Sequence, residues 1–218
     1  MSDERPVVYV VDDDPSYLEA VSRLLRAAGH RVEGSGSAAR FLEALPAGAT
    51  GCVLADLRMP GLSGLDLQDV LARRDRPLPV VFVSGEADVP SAARALKHGA
   101  EDFLTKLAPR EELLEAVTRA LARGAREREA HGLRRERLAR YESLTERERQ
   151  VLAHVLQGRL NKQIASRLSI HERTVKLHRT SLMSKLGVGS VAELTRWVQE
   201  AGLLADLDRL ARDTPKGQ

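Results

Sequence analysis

Three consecutive carboxylates, Asp12, Asp13 and Asp14, follow the apolar run Val7–Val11, and a single carboxylate, Asp56, closes the run Cys52–Ala55 just ahead of Leu57-Arg58-Met59-Pro60. Short apolar runs of this kind read as buried strands, and here they deliver acidic groups to one edge of a sheet. Like charges gathered there repel unless a cation lies among them. Two more strand-like runs end in useful groups, Val80–Val83 in Ser84 and Asp102–Leu104 in Lys106. Mg²⁺ accepts one or two carboxylates together with waters and phosphate oxygens. A lysine ammonium and a serine hydroxyl suit the oxygens of an incoming phosphate. Asp12, Asp13, Asp56, Ser84 and Lys106 therefore read as a Mg²⁺ site beside Asp56, a carboxylate placed to accept a phosphoryl group. Singly, each has a plainer role: Asp14-Pro15 is a helix N-cap with proline at the first helical position, and a lone strand-end Asp is more often a cap or turn former. The convergence of four such groups on strand ends is what favours the chemistry.

The positioning elements alternate. Candidate strands are Val7–Val11, Arg31–Glu33, Cys52–Ala55, Val80–Val83 and Asp102–Leu104. Between them lie helical patterns: Leu18, Val21, Leu25 and Ala28 closed by Gly29, then Ser37–Leu45, Ser63–Ala72 and Asp88–His98, and a fifth opened by Pro109 with Leu113, Val117 and Leu121 on one face. Nearly continuous apolar strands alternating with helices predict an α/β fold, a doubly wound five-stranded parallel sheet covered on both faces. Ligands of such sheets sit outside the carboxyl ends of the strands, where the acidic groups fall.

The 218 residues suit two small domains, and their charge is divided. Residues 1–125 carry 15 basic and 19 acidic groups, a net of −4, and the remainder carries 19 and 12, a net of +7. A basic half is a candidate for a polyanionic partner. The single Cys52 excludes an internal disulfide and a cysteine-based zinc site. No apolar run approaches the ~20 residues that span a bilayer, and the N-terminus lacks a signal-peptide core, so a cytoplasmic protein without membrane contact is expected.

Arg, Glu and Ala dominate from Ala122 to Arg140, predicting a solvated helical linker that continues the fifth helix. A smaller all-α domain follows. Thr145 with Glu148 forms a capping box, Gly158 ends that helix, Asn161 caps a short second one, and a turn at Ser169–His171 leads into Glu172–Leu186. Ser190 with Glu193 opens a last helix carrying Leu194, Trp197 and Val198, and the final dozen residues read as a polar, frayed tail. The expected boundaries are 1–122, a linker over 123–142, a helical domain over 143–205, and a tail over 206–218.

Val-Val-Asp-Asp-Asp at 10–14, Asp-Leu-Arg-Met-Pro-Gly-Leu-Ser-Gly at 56–64, Val-Ser-Gly at 83–85 and Asp-Phe-Leu-Thr-Lys at 102–106 resemble the receiver domain of bacterial two-component response regulators. The resemblance implies a CheY-like fold in which Asp56 is phosphorylated by a histidine kinase. Asp13 would bind Mg²⁺ directly, Asp12 through water, and Arg58 through its backbone carbonyl. Ser84 and Lys106 would hold the phosphoryl oxygens, and Phe103 would be the aromatic switch. The family's lysine is usually followed by a cis-proline, whereas Leu107 stands here. A cis bond before a non-proline costs about 3 kcal/mol, so a trans bond and a looser Lys106 loop are expected.

Leu-Thr-Glu-Arg-Glu at 144–148, Asn-Lys-Gln-Ile-Ala at 161–165, Thr-Val-Lys-Leu-His at 174–178 and Met-Ser-Lys-Leu-Gly at 183–187 resemble the LuxR/FixJ-type helix-turn-helix, closest to the FixJ subgroup. In the helix over 172–186, Val175, His178, Leu182 and Leu186 share an inward face, and Lys176, Arg179, Thr180 and Met183 fall on the other side. A helix fits the major groove and its polar face reaches bases and phosphates. Lys176 and Thr180 are the candidates for base edges, with Arg179 beside them. Asn161, Lys162, Thr174 and Lys185 are candidates for phosphates, contacts that position without specifying. His171, where the family often has a Ser cap, predicts a less firmly started helix. By resemblance the helix carrying Trp197 pairs two DNA-binding domains, with half-sites about 34 Å apart or a multiple of that.

The combined expectation is a transcription regulator, not an enzyme, that dimerises on phosphorylation, binds double-stranded promoter DNA and meets RNA polymerase. Two other classes stay open. Asp12-Asp13-Asp14 contains the Asp-x-Asp of Mg²⁺-dependent phosphatase-like enzymes, although Pro15-Ser16 departs from their pattern. A phosphorylation-independent DNA binder with the receiver as a fixed dimer module is the other.

Overall fold

The computed structural model describes residues 5–75, 77–85 and 89–213. The chain divides into two compact units, 1–129 and 130–218.

The first unit alternates strand and helix: β1 (Val7–Val11), α1 (Pro15–Ala27), β2 (Arg31–Ser35), α2 (Ala38–Ala44), β3 (Gly51–Asp56), α3 (Gly64–Ala72), β4 (Val80–Ser84), α4 (Val89–Lys97), β5 (Asp102–Thr105) and α5 (Arg110–Glu142). The strands form one parallel sheet in the order β2-β1-β3-β4-β5. Strand alternation sends Val7, Tyr9, Val11, Val53, Ala55 and Phe82 to one face, against Phe41, Leu67, Leu71 and Ala95. The other face carries Val8, Val10, Leu54, Val81, Val83 and Leu104, packed on Val21, Leu25, Leu113, Val117 and Ala120. Because both faces are buried, the strands read as continuous apolar runs. Asp14 Oδ1 accepts from Ser16 N and Tyr17 N and caps α1. A Ser63–Asp66 capping box starts α3. Strand β2 runs two residues past the expected Glu33. The expected start of the fourth helix at Asp88 lies outside the described residues.

The second unit holds the end of α5 and then α6 (Glu146–Leu156), α7 (Asn161–Leu168), α8 (Glu172–Leu186), α9 (Val191–Ala201) and α10 (Leu204–Asp213). Its core gathers Val151, Leu152, Ile164, Leu168, Val175, Leu182, Leu186, Leu194, Trp197 and Val198. Four local expectations need correction. Residues 206–213 are not a frayed tail: they continue α10, because Leu207 and Ala211, one turn apart, are buried in the core, while 214–218 lie outside the described residues. The end of the linker is not fully solvated, since Leu138 and Tyr141 pack on the same core. Leu160, not Asn161, is the N-cap of α7, and Gln163 Oε1 accepts from Leu160 N. Met183 turns inward on α8 and packs partly against the core. His171 caps α8 without a side-chain hydrogen bond, the soft start expected from its type. No helix among the described residues is long and apolar enough to cross a membrane.

Candidate phosphoacceptor site and nucleic-acid interface

Strand β1 lies between β2 and β3, so the chain turns to opposite sides of β1 after its first and second strands. That topological switch opens a crevice at the carboxyl ends of β1 and β3. Asp12 follows β1 and Asp56 ends β3. Three backbone bonds set the height of the lip: Asp12 N to Ser35 O, Leu57 N to Val83 O and Lys106 N to Ser84 O. Each extends the parallel ladder just past a strand end, so the functional side chains leave the sheet at a common level.

Carboxylate oxygens of Asp12, Asp13 and Asp56 lie within 4.8 Å of one another. Asp12 and Asp56 are buried and Asp13 is exposed. Lys106 Nζ reaches across from the end of β5, donating to Asp12 Oδ1 at 2.9 Å and standing 2.8 Å from both Asp12 Oδ2 and Asp56 Oδ2. Asp12 Oδ1 also accepts from Asp14 N, and Asp56 Oδ1 accepts from Arg58 N. Burial pushes the Asp12 carboxyl up, and its hydrogen bonds to Lys106 and Asp14 only partly oppose that. Burial pulls Lys106 down, but hydrogen bonds to Asp12 and Asp56 outweigh it and the ammonium is held above its usual range. Ser84 is buried at the end of β4, beside the strand that ends in Asp56. Phe103 is half-buried in β5 and packs against the core beneath α4.

Asp12 Oδ2 is buried and accepts no hydrogen bond, although it lies within ion-pair distance of Nζ. A desolvated carboxylate oxygen whose charge is met by an ammonium marks a place where positive charge is favoured. The donor set, three carboxylates, is the kind of oxygen set that suits Mg²⁺.

Two features of the lip were not anticipated. The Tyr17 ring lies under Lys106, with Nζ 4.6 Å from its centroid. Gly64, the first residue of α3, is pressed onto the backbone that carries Asp56: a Cβ there would sit 2.3 Å from the Asp56 carbonyl oxygen. The Pro-Gly-Leu-Ser-Gly run after Met59 was the sequence signal for that approach. The Lys106–Leu107 bond is trans, as expected, and the Leu107 side chain is 91% exposed.

In the helical unit, α8 presents Lys176, Leu177 and Thr180 to solvent. Arg179 Nη1 donates to Asn161 Oδ1 at 2.8 Å, so two of the expected contacts from α7 and α8 are tied to each other. Lys176 lies 3.4 Å from Glu172, and Thr180 Oγ1 donates to the Lys176 carbonyl. Lys162 is exposed and Thr174 half-buried near the start of α8. Lys185 is placed differently from the rest. Its Nζ donates to Glu148 Oε2 at 2.7 Å and to the Ser143 carbonyl at 3.3 Å. Glu148 is buried, and its other oxygen accepts from Ser181 Oγ at 2.6 Å.

Residues 8–118 match the family model of the response regulator receiver domain, and residues 142–198 match that of the bacterial regulatory proteins of the luxR family. The chain belongs to the LuxR/FixJ-type response regulators. Over 196 residues it is 47% identical to the response regulator protein TmoT of Ectopseudomonas mendocina, covering 90% of this chain and 89% of TmoT. It is 36% identical over 199 residues to the transcriptional regulatory protein FixJ of Bradyrhizobium diazoefficiens, covering 91% and 97%. Among solved structures, the response regulator StyR superposes with a TM-score of 0.80 at 42% identity, covering 90% of this chain and 99% of StyR. This regulator thus joins a receiver to a LuxR-type DNA-binding domain, a pairing that implies a kinase and DNA as partners.

Proposed function

We propose that Asp56 is the phosphoacceptor of this regulator, that a histidine kinase supplies the phosphoryl group, and that acceptance strengthens dimerisation and sequence-specific binding to promoter DNA. The observation that carries the reading is Lys106 Nζ, 2.8 Å from an oxygen of each of Asp12 and Asp56. A cation at that point can stabilise the charge that grows on phosphoryl oxygens. Asp12, Asp13, Asp56 and the Arg58 carbonyl would hold Mg²⁺, which supplies charge neutralisation for the incoming phosphate. Ser84 donates to a phosphoryl oxygen and Phe103 follows it inward, altering the face formed by α4 and β5. Lys176 and Thr180 read base edges, with Arg179 held beside them by Asn161. Asn161, Lys162 and Thr174 meet phosphates. Lys185 drops out of the contact set, because its ammonium is already engaged by a buried carboxylate. The regulator acts in the cytoplasm, on DNA and RNA polymerase rather than as an enzyme on a separate substrate.

Lys106 stands in place although Leu107 follows it, which weighs against a receiver that has lost phosphorylation. Acetyl phosphate with Mg²⁺ is expected to label the wild type and leave Asp56→Asn unlabelled. Labelling of both would remove Asp56 from the role, and loss of label on Asp12→Asn alone would favour the phosphatase-like chemistry.

A further inference from the structure

Lys106 is held from three sides. Two holders are the carboxylates of Asp12 and Asp56, and the third is the face of Tyr17. We infer that Tyr17 is a positioning residue for phosphoryl transfer, its ring keeping the Lys106 ammonium aligned on Asp56 while the charges around it change. The inference rests on the reading of Asp56 as phosphoacceptor.

The carboxylates are the partners that the reaction draws away. Asp12 belongs to the acidic set that fits a cation, and Asp56 is the group that is converted. In that conversion a carboxylate oxygen of Asp56 attacks phosphorus of the donor. With acetyl phosphate, a new P–O bond to Asp56 forms, the bond from phosphorus to the acetyl oxygen breaks, and acetate leaves with that electron pair. Nothing is oxidised or reduced. Through this exchange the ring face of Tyr17 neither loses charge nor changes partner. A cation within about 6 Å of an aromatic centroid is attracted by the ring quadrupole, and 4.6 Å is well inside that range.

The ring is itself anchored. Tyr17 lies in the first turn of α1, where its N–H is held by Asp14 Oδ1, and its side chain packs against the Val8–Val10 face of the sheet. Burial pushes the phenol up to about 12, with the nearby Asp12 adding to it, so the ring stays neutral at working pH. The neighbouring Leu107 adds no packing around the lysine, since it projects into solvent. No bond of the hydroxyl enters this account: the π face holds the ammonium, so Phe serves and Leu does not.

The test uses the full chain with acetyl phosphate and Mg²⁺. Initial phosphorylation rates are measured against donor concentration for wild type, Tyr17→Phe and Tyr17→Leu, and each is repeated in a Lys106→Ala background. Tyr17→Leu is expected to lower the maximal rate about five-fold, the size of a cation–π contact that still meets solvent, with the half-saturating donor concentration little changed. Tyr17→Phe is expected to restore the rate to within about two-fold, since its face is comparable. In the Lys106→Ala background the Leu substitution should have no further effect. A loss persisting there, an equal loss in Tyr17→Phe, or no loss in Tyr17→Leu overturns the inference. The Lys106→Ala comparison keeps the test decisive if Tyr17→Leu also lowers the melting temperature. A wild type that takes no label overturns the Asp56 reading and this one with it, whereas a labelled wild type matched by Tyr17→Leu overturns this one alone.

Discussion

Each unit buries a carboxylate against a lysine. In the sheet unit Asp12 meets Lys106, whose single ammonium lies 2.9 Å and 2.8 Å from its two oxygens and 2.8 Å from an oxygen of Asp56. In the helical unit Glu148 meets Lys185, and both of its oxygens are filled, Oε1 by Ser181 and Oε2 by Thr145 N and Lys185. Their titration differs accordingly. Burial dominates at Asp12 and raises its carboxyl. Burial also pushes Glu148 up, but Lys185, Ser181 and Thr145 together hold it down to about 2. Saturation makes Glu148 a clasp between the start of α6 and the end of α8, the helix proposed to read DNA. Asp12 instead shares one ammonium with Asp56, so it keeps room for a further partner. A buried carboxylate beside a lysine is thus a clasp in one unit and, under the proposed function, part of a metal site in the other, and how many donors the carboxylate gathers separates the two.

The largest expected effect is on stability. Glu148→Ala should cost the helical unit about 3–5 kcal/mol, because it leaves the Ser181 and Thr145 donors without an acceptor and a partly exposed lysine without its partner. The single Trp197, 8% exposed in that core, reports the loss as a shifted urea transition in its fluorescence. Asp12→Asn should leave the sheet unit's transition by circular dichroism nearly unmoved and weaken Mg²⁺ binding instead. Equal destabilisation by the two substitutions would break the contrast.

A smaller effect, of opposite sign in the two units, is expected with pH. The folded-state value of Glu148 is depressed from 4.5 to about 2. Its stabilisation is therefore complete above pH 4.5 and is lost as pH falls toward 2, roughly 3 kcal/mol in all for a shift of that size. His154 is buried, and that burial holds it below its ordinary 6.5 against the opposing pull of a hydrogen bond with Gln157. The unfolded chain then binds the proton that the folded one refuses, so stability also falls as pH drops through 6.5. Asp12 is raised above 3.8, so its contribution declines as pH rises through that range, before any cation binds. Trp197 melts between pH 7 and 3 should show a steady fall. A flat profile would mean that Glu148 and His154 keep the same proton affinities when the unit unfolds.

The smallest effect concerns DNA. Lys162→Ala should lower the slope of log affinity against log salt by about 1, the signature of one phosphate contact. Lys185→Ala should leave that slope unchanged while lowering the stability of the unit. A reduced slope for Lys185→Ala would return it to the interface.

The sheet was readable because its strands are buried on both faces and end on acidic or hydroxyl groups, so apolar runs and site residues marked each other. The caps at Asp14 and Thr145 were equally plain, being local in the chain. What escaped depended on distance in space. Lys185 looks like any exposed base on α8 until Glu148, 37 positions earlier, is seen beside it. Tyr17 and Lys106 are far apart in the chain, and no period links them. Helix α10 was hidden for another reason: Leu203, Leu207 and Ala211 repeat every four residues, but the charged residues between them made the segment look frayed. Leu138 and Tyr141 were lost in the same way within an Arg-rich stretch.

Gly64 has no group that could take part in a reaction, yet the chemistry leans on it. With the Asp56 carbonyl oxygen 2.3 Å from where a methyl would begin, and Phe82 and the Leu57 backbone close behind, neither neighbour can retreat without moving the strand that ends in Asp56. A hydrogen atom at this one position is therefore part of how the regulator holds its aim. A lesion there would silence signalling while leaving every reactive residue intact.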